Sequence, residues 1–231
     1  MKTNKTIGWI LIIGAVGVLI PYTLLTLHFD YPQILREDSG IILTRFHAGG
    51  SSLIFTWWAF ALLGLPLLIG YILIGQKFEN KLSFIKWTTT LGVVSGIVQI
   101  LGLLRWVFVV PVLANKYVAA SDEATKLAVT TGFQIIHQLF GVLLGEHIGQ
   151  LFTIIWTFMM SYAFIKLKTF PPWFGLMGIG TSIIYLFAQA ELISTVIPGF
   201  PVWDMAGFIG SNLWLIWLIL LGVLFIRQNN E

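Results

Sequence analysis

The 231 residues are 57% hydrophobic and only 10% charged, against about 25% charged in an ordinary soluble domain, which excludes a water-soluble globule. Lipid is the solvent that fits, because a helix of about 20 apolar residues crosses the hydrocarbon and satisfies its own backbone; the length holds about six such helices and no further soluble domain. The net charge of +3 does not point to nucleic acid, since the lysines sit in short clusters beside apolar runs and form no continuous basic face, and the absence of Cys excludes disulfides, thiolate metal sites and Cys nucleophiles.

Lys2 and Lys5 precede an apolar run that superficially looks like a signal peptide. The run over 7–27 is of membrane-spanning length and lacks a small-x-small cleavage site, so it reads as the first span. Further windows of spanning length follow at 49–75, 87–110, 146–165, 174–197 and 207–226. The connecting segments HFDYPQILREDSG, QKFENKLSFIK, PVLANKYVAASDEATK, KLKTFPP and PGFPVWD carry the charges and helix breakers. The segment 124–145 is helical in pattern, yet with the fourth span it is too long for one crossing. An amphipathic or re-entrant helix on the outer side, broken near Gly145, is therefore expected before that span. The fold class is an all-α integral membrane bundle of about six transmembrane helices plus this extra helix, in a single transmembrane domain over residues 1–231.

An even number of spans puts both termini on one side. Lys2, Lys5, Lys77, Lys81, Lys86, Lys166, Lys168 and Arg227 lie on that side, eight basic residues against five (Arg36, Arg45, Arg105, Lys116 and Lys126) on the other. The bias predicts cytoplasmic termini in a plasma membrane protein. Trp9, Trp87 and Trp173 near one boundary, and Trp106 and Trp203 near the other, form the expected aromatic belts.

Polar residues inside spans usually face the bundle interior. Thr88, Gly92, Ser95, Gln99 and Gly102 recur at spacings of three and four, as do Glu146, Gln150, Thr153 and Thr157, and Gly175, Gly178, Ser182 and Gln189 form a third stripe. Such stripes are the ordinary means of helix packing in membranes. The ionisable residues are more distinctive. His28, Arg45, His47, Arg105, His137, Glu146, His147 and Glu191 all fall in the outer half or at its edge, and they include all four histidines. On an unbroken α-helix His137 and His147 differ by about 80° in azimuth and about 15 Å in height, so only a break near Gly145 would let them share a ligand.

The runs RFHAGGSSLIFTWWAF (45–60), LGLLRWVFVVPVLA (101–114) and HQLFGVLLGEHIGQLFTIIW (137–156) resemble a group of bacterial multi-pass membrane proteins, domain of unknown function 4386. The resemblance implies a bacterial plasma-membrane protein and transfers no chemistry. Its recognisable runs contain Arg45, His47, Arg105, His137, Glu146 and His147.

Three functions compete. One is a haem or divalent-metal site built from His47, His137, His147 and Glu146, supported by the charges Arg45, Arg105 and Glu191; no HExxH or CxxCH spacing accompanies it. A second is proton- or ion-coupled transport of a small solute, with Glu146, Glu191 and His147 as carriers. The third is a structural or sensory component whose charged rim meets lipid headgroups or a partner. The catalytic residues, oligomeric state and identity of any cofactor stay open, and an intramembrane hydrolase has no persuasive serine or aspartate pair.

Overall fold

The computed structural model describes residues 2–228, without the side chains of residues 2 and 3; the Lys2 side chain, counted above towards topology, lies outside what is described. Among the described residues all regular structure is helical. Six helical stretches are long and apolar enough to cross a membrane: Asn4–Phe29, Ser39–Phe78, Ile85–Ala119, Glu123–Lys166, Pro172–Ser194 and Ala206–Arg227. Each contains most of one of the six predicted windows.

The elements are α1 (Lys2–Phe29), α2 (Ser39–Leu63), α3 (Leu65–Phe78), α4 (Ile85–Phe108), α5 (Val110–Ala119), α6 (Glu123–Ile136), a π-wound stretch (His137–Ile148), α7 (Gly149–Lys166), α8 (Pro172–Leu186), α9 (Gln189–Ser194) and α10 (Ala206–Arg227). Prolines fall in the first turns of α3, α5 and α8, where the missing N–H has no intrahelical partner to lose. Gly50, at φ 55° and ψ −151°, interrupts α2 in a region that only glycine enters without strain.

The spans close a ring: α1 packs on α10, α10 on α8, α8 on α7, α7 on α4, and α4 on α2 and α3, which return to α1. Connections between spans alternate ends. Residues 30–38, 120–122 and 195–205 therefore lie at a distal end, opposite both chain termini. Among the described residues two large apolar cores and a small third cluster of Ile154, Tyr185, Ala188 and Ala206 fill the ring. The proximal one contains Trp156, Phe164, Phe174, Trp217 and Phe225, with the Phe174 and Trp217 rings stacked at 5.2 Å. The distal one contains Phe29, Phe46, Trp57, Trp106 and Phe133, with Trp57 and Trp106 stacked at 4.8 Å. Such ring pairs add to the stabilisation from buried area.

The third-span stripe packs against the fourth span. Ser95 Oγ donates to the Gly149 carbonyl (2.7 Å) and shares a hydrogen bond with the Thr153 hydroxyl (2.7 Å). Gln99 Nε2 donates to both hydroxyls, at 2.8 and 3.1 Å. Gly102 lets the backbones touch: a Cβ there would stand 2.8 Å from the Phe140 carbonyl oxygen and 3.0 Å from Gly145 Cα.

The expected break near Gly145 does not occur. The helix runs on from Glu123 to Lys166, changing winding between His137 and Ile148 without interruption. Gly145, where the break was expected, serves close approach instead, as do two neighbouring glycines. Gly141 faces the Arg105 guanidinium, Gly145 faces Gly102 and Gly149 faces Gln99.

Candidate functional site

The connection between the first two spans, residues 30–38, folds down onto the distal end because its apolar residues are anchors. Ile34 and Leu35 are buried, and Tyr31 sets its ring edge-on to Trp57 at 5.3 Å. A single 3₁₀ turn, Gln33–Arg36, then aims Arg36 across the fourth and fifth spans. Arg36 Nη2 donates to Glu146 Oε2 (2.8 Å) and Nε donates to Glu191 Oε1 (3.2 Å). Burial opposes the Arg36 charge, but the two carboxylates outweigh it and hold the guanidinium pKa above its ordinary value.

Beneath this triad lies Arg105, only 6% exposed. Its Nη1 donates to the Gly102 carbonyl, and its guanidinium stands 5.2 Å from the centroid of the Trp106 ring, a cation–π contact. Among the described residues it forms no ion pair, and its Nε has no hydrogen-bond partner. Beside it is His137, 8% exposed, with its ring stacked on Phe133 at 5.3 Å and edge-on to Trp106 at 6.2 Å. Both ring nitrogens are buried without a partner; the Leu35 carbonyl lies nearby but does not complete a hydrogen bond.

The winding of the helix decides which residues share this face. Nine residues separate His137 from Glu146, which at 100° per residue puts them about 180° apart on an α-helix. The i→i+5 bonding of a π stretch raises the repeat to roughly four and a half residues, and nine residues then make two turns. His137, Gly141 and Val142 are accordingly buried together, and Glu146 reaches Arg36 on the same side. A cavity of about 220 Å³ opens here, lined among others by Leu35, Arg36, Phe133, His137, Gln138 and Thr195. Gln138 Nε2 donates to Thr195 Oγ1 at its rim (3.2 Å).

Of the residues singled out from the sequence, Arg105, His137, Glu146 and Glu191 come together. The others have separate partners. His147 Nδ1 bonds Gln189 Oε1 (2.7 Å), and Gln189 Nε2 donates to Gln150. His47 Nδ1 bonds Asn115 Oδ1 (2.9 Å) at an exposed position, Arg45 pairs with Asp30 at 3.4 Å in the open, and His28 bonds the Leu24 carbonyl. His47, His137, His147 and Glu146 thus do not assemble a ligand shell: among the described residues no three His, Asp or Glu side chains could hold one metal ion.

Sequence reasoning missed Arg36, the hub of the site, because it counted that residue only as a topology charge. The signal was present as an Ile-Leu-Arg triplet, whose two apolar residues have no reason to sit in a solvated connection unless they dock it.

No curated protein and no solved structure matches the chain. A family model, "Domain of unknown function (DUF4386)", matches residues 6–222, and over that extent the chain belongs to this family of uncharacterised proteins.

Proposed function

We propose that this membrane protein carries a one-sided binding site for a small polar solute, entered from the distal end and closed by Arg36 with Glu146 and Glu191. The observation that carries the reading is His137: its two ring nitrogens are buried and unpartnered at the wall of a cavity. A buried polar group left unsatisfied costs about 1–3 kcal/mol, which a bound solute would recover. The cavity volume suits a small molecule and falls below the usual range of roughly 300–1,000 Å³ for drug-sized ligands.

Depth supports the same reading. At 1.5 Å per residue, Arg105 stands roughly 27 Å along its helix from Trp87, and Glu191 roughly 27 Å from Trp173. Both lie about one hydrocarbon thickness from the proximal aromatic belt, at the distal edge of the membrane. Charges are tolerated there when paired or facing a cavity. The basic bias towards the terminal side supports a distal end outside the cell. Below the site Gln150, Thr153 and Thr157 continue a polar stripe into the bundle, which ends against the proximal aromatic core. That stripe favours, as a second reading, passage of the solute onward in a solute carrier.

The test is thermal unfolding of the protein in mild detergent against separate panels of small acids, amines, amides, amino acids and sugars. One chemical class should raise the midpoint, since ligand at 100 times its Kd stabilises by about 2.7 kcal/mol, and His137→Phe should remove that shift while remaining folded. A wild-type midpoint indifferent to every class would overturn the reading.

A further inference from the structure

We infer that the connection between the fifth and sixth spans, residues 195–205, is seated in the lipid of the distal leaflet, at the level of the headgroups, and does not project into water. Its side chains supply the first reason. Val196, Ile197, Phe200, Trp203 and Met205 are between 36% and 65% exposed, and residues 192–203 carry no charge. The connection between the first two spans, at the same end, differs on both counts: it holds Asp30, Arg36, Glu37 and Asp38 and buries Ile34 and Leu35. An uncharged run of large apolar side chains left in water would be costly, and such patches mark a surface that something covers.

Position says what covers it. Ala206 stands roughly 31 Å along α10 from Arg227 at the proximal end, about one hydrocarbon thickness, so the connection leaves and re-enters the bundle at the distal boundary of the hydrocarbon. The patch is also continuous with surface that already faces lipid. Leu186 on α8, Phe187 just after it and Phe208 on α10 are exposed on the flanks of the two spans, and the Phe187 and Trp203 rings meet edge-on at 6.0 Å. Tryptophan favours this depth.

The backbone suits a poorly hydrated layer. Thr195, Val196, Ile197 and Phe200 each donate their N–H to a carbonyl three or four residues back, and Pro198 and Pro201 have no N–H to satisfy. The water held among the headgroups can serve the remaining groups, which hydrocarbon could not. The partner is therefore a bilayer surface recognised by apolar and aromatic contact, with no anionic headgroup required. Thr195, whose hydroxyl accepts from Gln138 at the cavity rim, opens this connection, so the lipid seat also supports one edge of the cavity.

The chain has no cysteine, so single sites can be labelled without removing any. Nitroxide labels at Val196→Cys and Phe200→Cys are compared with labels at Phe208→Cys on a span and Glu123→Cys at the start of α6. The full chain is placed one copy to a nanodisc of phosphatidylcholine, and power saturation reads collisions with oxygen, which concentrates in lipid, and with a water-soluble nickel chelate. The expected oxygen-to-nickel ratio at 196 and 200 is several-fold above that at 123 and close to that at 208. It should not change when part of the lipid is phosphatidylglycerol. Nickel collisions at both sites as frequent as at 123 overturn the inference. If those same labels become shielded from both reagents in liposomes, where chains can meet, the face belongs to a second copy. Shielding from both reagents in the single-copy discs overturns it as well, since the connection would then pack on its own chain. A high ratio that appears only with phosphatidylglycerol refutes recognition by apolar contact alone.

Discussion

The contact that sets the geometry of the site can be tested at one atom. In Gly102→Ala the new methyl would lie 2.8 Å from the Phe140 carbonyl oxygen and 3.0 Å from Gly145 Cα. Both are backbone atoms of the π stretch, so no side chain can rotate aside and the third and fourth spans must separate. Overpacking of this kind costs about 1–3 kcal/mol, offset by up to about 1 kcal/mol from the better helix propensity of Ala. A net loss of roughly 1–2 kcal/mol lowers the unfolding midpoint by roughly 2–8 °C for a chain of this size. Gly132→Ala is the matched control, because in α6 its added Cβ meets nothing within 4 Å and the propensity gain stands alone. Thermal unfolding of both variants in one detergent should give shifts of opposite sign. If Gly102→Ala were as stable as the parent, the close approach argued for these two helices would be wrong.

Glu146→Gln keeps an acceptor for Arg36 but removes the charge; with side chains 31% and 20% exposed, solvent screening limits the loss to about 1 kcal/mol. Glu191→Gln, longer and 42% exposed, should cost about half as much, and a double-mutant cycle of Arg36→Gln with Glu146→Gln that gave no coupling energy would refute the pairing. At the start of α6, the Thr125 amide and hydroxyl each donate to Asp122 at 2.8 Å and hold its pKa below the ordinary 3.8. A depressed carboxylate pKa contributes stability that is present above the unfolded value and lost as pH falls through the folded one. Amide exchange in the first turn of α6, corrected for intrinsic rates, should therefore accelerate below about pH 4. Asp122→Asn, an equally good cap, should remove that acid dependence.

The spans and the packing faces of the third and fourth helices were legible because both depend on residue spacing along regular helices. Ser95, Gln99 and Gly102 recur at intervals that α geometry turns into one face, and that face is the one bonded to Gly149 and Thr153. That His137 and Glu146 share one side of their helix was not legible, since at α spacing the two look away from each other. That shared side depends on a change of helical repeat, for which the sequence supplies glycines but no distinctive period. Gly145 among them suggested a bend, and only the facing surface of the third span, with Gly102 and Arg105 opposite Gly145 and Gly141, decides that they serve contact instead. The metal reading rested on the shared depth of the histidines. Depth fixes one coordinate of a side chain and leaves its azimuth free, which is why His47 and His147 ended on partners of their own.

On the proposed reading, Arg36 closes the site and His137 lines it, and their surroundings fit that division. His137 is locked by Trp106 and Phe133, so that wall keeps its shape whether or not a solute is present, and little ordering cost falls on binding. Arg36 is instead exposed on a short connection and held by two partly exposed ion pairs. Rotating that one side chain breaks both pairs at a cost of about 1.5 kcal/mol, while Ile34 and Leu35 stay docked. At 1.4 kcal/mol per factor of ten, the opened arrangement would be populated at roughly eight per cent. That is rare enough to keep the cavity closed most of the time and common enough that entry needs no unfolding of the segment.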